Sequence, residues 1–96
     1  MSLSLHTLKT YKVEYGENAI NGWEETTNFV DFVKTLQDNE KYEDSEEIFI
    51  SEDETNIEIP FKVLEQLKSH PKWGKVAEKI IENSDKSNDY AVLNIW

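Results

Sequence analysis

The sequence predicts an α+β fold, a single domain spanning residues 1–96. It has an antiparallel or mixed sheet of four to five strands and helices mainly on one face. Three observations carry this expectation. Apolar residues alternate with polar ones near the N-terminus and in two short central runs, the period of a strand. Two windows, around Phe29 to Leu36 and Trp73 to Ile81, place apolar residues three and four apart, the period of a helix. A chain of 96 residues is long enough for one core and one domain.

The elements follow in order. From Thr7 to Tyr15, the residues Tyr11, Val13 and Tyr15 alternate with Lys12 and Glu14, a half-buried strand. Gly16-Glu17-Asn18 reads as a turn. Ala19 to Glu25 then either returns as a second strand or carries the turn itself at Asn21-Gly22. Thr27 or Asn28 can cap a helix whose apolar face is Phe29, Phe32, Val33 and Leu36, with Asn39 as its stop. Ile48 and Ile50 flank Phe49, and Ile57 and Ile59 flank Glu58. Two short runs joined by the polar Ser51 to Asn56 read as a hairpin.

Pro60 suits the first turn of a second helix, buried along Phe61, Leu64 and Leu67. His70-Pro71 interrupts it, because the residue before proline is pushed away from helical angles. A third helix then carries Trp73, Val76, Ala77, Ile80 and Ile81. Tyr90 to Trp96 is apolar on both faces, which predicts an interior strand covered on both sides. If residues 19–25 are not a strand, the sequence of elements matches the ferredoxin-like order β-α-β-β-α-β.

Composition bounds the chemistry. There is no cysteine, so no disulfide, thiolate nucleophile or cysteine zinc site. Apolar runs are too short to span a membrane, and the N-terminus lacks the basic region and apolar core of a secretory leader. A cytoplasmic location and no membrane partner are expected. Twenty Asp and Glu face ten Lys and no Arg, a formal charge of −10. Such a chain repels nucleic acid at long range, so direct nucleic-acid binding is not expected, and a basic protein is the natural partner.

The charge is concentrated. Residues 38–58 hold Asp38, Glu40, Glu43, Asp44, Glu46, Glu47, Glu52, Asp53, Glu54 and Glu58 against Lys41 alone, nearly the whole net charge. Tyr42 and Phe49 lie among them as potential anchors, since interface hot spots need desolvated aromatics as well as charge. These twelve residues form the expected partner-binding set, and electrostatic complementarity would select the partner. The bland alternative is a solvated loop that aids solubility. Oxygen-rich Ser51 to Asn56 lacks the ligand order and glycine of a calcium loop, so no metal or other cofactor is expected.

No catalytic motif is present. His6 and His70 are the only histidines; one sits near the N-terminus and the other at a helix break. No glycine-rich phosphate loop or nucleophile elbow occurs. Lys72, Lys75 and Lys79 share a helix face, with Lys68 nearby, but Glu78 and Glu82 interleave there. In size, acidity and α/β make-up the chain resembles small bacterial inhibitors: immunity proteins of nuclease toxins, antitoxins and phage inhibitors that mimic DNA. The resemblance includes no alignable motif and transfers no residue role. It implies a non-enzymatic inhibitor that docks on a basic nuclease or other nucleic-acid-binding protein. The competing readings are a small histidine-dependent hydrolase or nuclease, and a self-associating assembly subunit.

Overall fold

The first element pair is a hairpin that the sequence only half declares. In the computed structural model, residues 4–10, 14–37, 39–84 and 86–95 are described, with side chains for residue 20 and for 22–37, 39–84 and 86–95. Strand β1 (Ser4–Thr10) pairs antiparallel with β2 (Glu14–Asn21). Gly16-Glu17-Asn18 therefore lies within a strand and not in a turn. The expected alternation of Tyr11, Val13 and Tyr15 falls outside the described residues or side chains.

Helix α1 (Trp23–Leu36) starts a full turn before the expected caps. Gly22 explains the early start. Its φ of 99° lies where residues with a Cβ are strained, and it swings the chain from β2 straight into the helix. An added Cβ would meet nothing within 4 Å, so conformation and not space calls for glycine there. Glu24 and Glu25 complement the positive helix N-terminus. Phe29, Val30, Val33 and Leu36 are buried, with Phe32 packed beside them.

A 3-10 turn at Ser45–Glu47 leads into β3 (Phe49–Ile50), which pairs with β4 (Asn56–Pro60) as the expected hairpin. Pro60 ends β4 and stands directly before α2 (Phe61–Leu67). Helix α3 (Gly74–Asn83) follows the His70-Pro71 break, and β5 (Tyr90–Ile95) closes the described chain. Trp73 binds the layers together, edge-on to Phe29 at 5.3 Å and stacked on Phe32 at 5.8 Å between ring centroids.

Among the described residues the fold is α+β with three α-helices, and the expectation of four to five strands is corrected to three for the sheet whose side chains are described. The part with placed side chains is a three-strand antiparallel sheet, β3-β4-β5. The β1–β2 hairpin continues it through backbone pairing beyond β5, giving the order β2-β1-β5-β4-β3, and the hairpin's register breaks three times. Every pairing among the described residues is antiparallel, one of the two forms expected. The ferredoxin-like order also fails, because a hairpin precedes α1 in place of a single strand.

A second correction concerns β5. Ala91, Leu93 and Ile95 join Ile57 and Ile59 of β4 in one core with all three helices. The opposite side is not covered as expected: Tyr90 is exposed, and Val92 and Asn94 are half-buried. The helices pack on the face of Ala91, Leu93 and Ile95, so Tyr90 stays exposed and Val92 only half-buried despite their apolar character.

Candidate protein-docking surface

The acidic segment is held against the body of the domain. Tyr42 is half-buried and packs on the core, while Ser45 and Ile48 are buried. The Ser45 hydroxyl donates to the Asn39 carbonyl at 2.9 Å, and the Gln37 side-chain amide donates to the Ile48 carbonyl at 3.2 Å. Gln66 of α2 bonds both backbone groups of Glu43, accepting from its N–H and donating to its carbonyl, each at 3.0 Å. These bonds fix the backbone while the carboxylates of Glu40, Glu43, Glu46 and Glu47 stay exposed. Asp44 takes a left-handed conformation, φ 66°, which Asp tolerates better than most residues.

Tyr42 therefore anchors the segment to its own core, whereas Phe49 is 51% exposed and free to meet a partner. Asp38 lies outside the described residues. Glu52, Asp53 and Glu54 sit at the tip of the β3–β4 hairpin, all exposed. The hydroxyls of Ser51 and Thr55 each donate to Asp53 Oδ1 at 2.8 Å, and the Thr55 N–H adds a third bond at 3.2 Å. Hydrogen bonds from Ser51, and then Thr55, hold the Asp53 carboxyl below the usual carboxylate range. Its Oδ1 is thus engaged with the hairpin itself. Glu54 pairs with Lys34 of α1. Among the described residues no three His, Asp or Glu converge as a metal site.

Folding adds residues that sequence order had separated. An open groove of about 610 Å³ brings Asp44, Glu47 and Glu58 together with Asp89, which lies outside the acidic segment. Pro60, Phe61 and Tyr90 supply apolar wall. Lys62 also lines it, but its ammonium binds Glu43 at 3.1 Å. That hydrogen bond and the Glu43 charge, helped by Asp44, hold Lys62 above the ordinary lysine range. Both partners are largely exposed, so the pair contributes little to stability. Phe61 and Tyr90 escaped sequence reasoning because they belong to the expected helix and covered strand, and Asp89 because it lies far along the chain from the acidic segment. The pairing of Pro60 with Tyr90, and the Phe61 N–H donating to the Asp89 carbonyl at 3.0 Å, bring them beside Glu58.

The histidines are far apart in role. His6 lies in β1, in register with Asn94, and its side chain is outside those described. His70 Nδ1 accepts the backbone N–H groups of Lys72 and Trp73, each at 3.1 Å, and its ring packs on Phe32. In the basic strip, Lys68 pairs with Glu65 and Lys72 lies over the Trp73 ring at 5.0 Å. No helix among the described residues is long and apolar enough to cross a membrane. Compared with protein-family models, curated proteins and solved structures, the chain matches none.

Proposed function

We propose that this domain is a non-enzymatic acidic inhibitor that docks on a basic protein, in the manner of an immunity protein, an antitoxin or a nucleic-acid mimic. The observation that carries the reading is the rigid attachment of the acidic segment. A merely solubilising loop needs no Gln66 clamp on Glu43, no half-buried Tyr42 and no buried Ser45 and Ile48 beneath its carboxylates. A fixed array of negative charge beside an exposed Phe49 suits a cleft built for phosphates, since it can occupy the cleft without the entropic cost of ordering a loop. The natural target is a nuclease or another nucleic-acid-binding protein.

The test begins with affinity capture from the native host and continues with kinetics on the captured partner. Association should slow as salt rises, because the Debye length falls from about 10 Å at 0.1 M to about 3 Å at 1 M. Replacing Glu43, Asp44, Glu46 and Glu47 by Gln or Asn should slow association further and leave dissociation less affected. The same treatment of Lys72, Lys75 and Lys79 should change little. An association rate indifferent to salt and to the acidic substitutions overturns the reading.

A further inference from the structure

The side of the sheet away from the helices carries an arrangement that neither charge nor hydrophobicity alone explains. Glu58 stands at the centre of β4. Phe49 of β3 is directly opposite it on one side and Val92 of β5 on the other. Directly opposed residues share a face, so all three project away from the core. Tyr90 is two residues from Val92 along β5 and shares its face. With strands about 4.8 Å apart and about 3.4 Å per residue along them, Phe49, Val92 and Tyr90 surround Glu58 within roughly 10 Å. Phe49 and Tyr90 are 51% and 41% exposed. They are two of the three large apolar side chains that stand out as exposed among the described residues.

Nothing within the described chain neutralises Glu58. Its face has no lysine in register, and no described ion pair includes it. The groove beside it adds Asp44, Glu47 and Asp89, while Lys62 at its edge is already bound to Glu43. A carboxylate flanked by two accessible rings on a hydrogen-bonded sheet suits a flat, weakly hydrated cation. A guanidinium can form two parallel hydrogen bonds to the carboxylate and stack on aromatic faces at the same time. An ammonium can do only part of this, and an apolar side chain would bury Glu58 unpaired.

We propose that this open face, centred on Glu58 with Phe49, Tyr90 and Val92 around it, receives an arginine side chain from the surface of a basic protein partner. The inference rests on the docking function proposed above and specifies the contact within it. The acidic segment steers the encounter, and the sheet face holds the bound complex.

The test uses the isotopically labelled full chain and three defined peptides of equal length, with alternating Arg and Leu, alternating Lys and Leu, or alternating Arg and Ser. In NMR titrations at fixed salt, the Arg-Leu peptide should bind tightest and shift the amides of Phe49, Glu58, Tyr90 and Val92. Glu58→Gln, and separately Phe49→Ser with Tyr90→Ser, should each weaken it about tenfold or more. Because shift mapping on the unaltered protein needs no variant, a variant that fails to fold does not block the test. Shifts confined to residues 40–47, with Glu58→Gln silent, overturn the sheet-face site while leaving charge-steered docking standing. Equal binding of the Arg-Leu and Lys-Leu peptides overturns the arginine assignment. A concentration-dependent dimer that Tyr90→Ser abolishes assigns the face to a second copy and overturns the proposal. If none of the peptides binds at that salt or in a repeat at low salt, both this inference and the docking reading fail.

Discussion

His70 is the residue whose role depends most on its surroundings. Read alone, a histidine before proline is either a helix stop or a member of an acid–base pair. In place, its Nδ1 takes two backbone N–H groups at the start of α3 and its ring lies 4.9 Å from Phe32 between centroids. The ring thus satisfies two backbone donors in the turn that leads into α3. His70→Ala should cost about 0.5–1.5 kcal/mol in urea unfolding, the range for losing a side-chain hydrogen bond to the backbone. His70→Asn should recover part of the loss, because its side-chain oxygen can stand where Nδ1 stands. Equal destabilisation by both would mean that the ring contact, not the hydrogen bonds, matters.

Asp53 gives the clearest pH effect at the same scale. Its carboxyl is held below the ordinary aspartate value of 3.8 by bonds that only the charged form can accept in full. A depressed folded-state value means that its stabilising effect is present above about 3.8 and is lost as pH falls through the lower folded value. Carboxyl-carbon NMR titration should therefore place the Asp53 midpoint below those of ordinary aspartates. Ser51→Ala should move that midpoint upward, since the Ser51 hydroxyl is the largest contributor. An unchanged midpoint in Ser51→Ala would disprove the assignment.

At the scale of elements, the approach of α2 to α3 is set by Gly74. Its placement at the start of a helix would ordinarily make Gly→Ala favourable by up to about 1 kcal/mol. Here an added Cβ would come within 2.4 Å of the Lys68 carbonyl oxygen, a backbone atom that cannot step aside. Gly74→Ala should therefore destabilise the domain, by roughly 1–3 kcal/mol as for other overpacked sites. A thermal melt of this variant at or above the wild-type midpoint would show that α2 and α3 can separate. The helix and hairpin patterns were legible: Val33, Leu36, Leu64, Leu67, Ala77 and Ile80 are buried as their spacing requires. The start of α1 was not, because its signal is the positive φ of Gly22 and not a capping side chain.

For the whole molecule, self-repulsion is the electrostatic effect that stands out. The chain carries −10, concentrated beside the groove of Asp44, Glu47, Glu58 and Asp89. The free domain should gain stability as salt rises from low concentration. Changing Glu46 and Glu47 to Gln should raise the melting midpoint at low salt, because like charges oppose the compact state and salt screens them. The gain should shrink at high salt. A midpoint lowered by those substitutions would point to attractive contacts of the two carboxylates in the folded chain.

By itself, the sequence determined that the domain is α+β, where α2, α3 and the central hairpin fall, which face α1 buries, and that its charge gathers within residues 38–58. Those properties depend on local periodicity and on composition, which neighbours along the chain specify. Only the tertiary structure decided that β5 has one open side, that Tyr42 points to the core while Phe49 does not, and that Asp89 and Tyr90 stand beside Glu58. The alternation of Tyr90 to Ile95 reads the same whether one layer of helices covers the sheet or two. Burial is a property of the layer laid over a strand, and strand register, not sequence proximity, chooses which residues meet across a sheet.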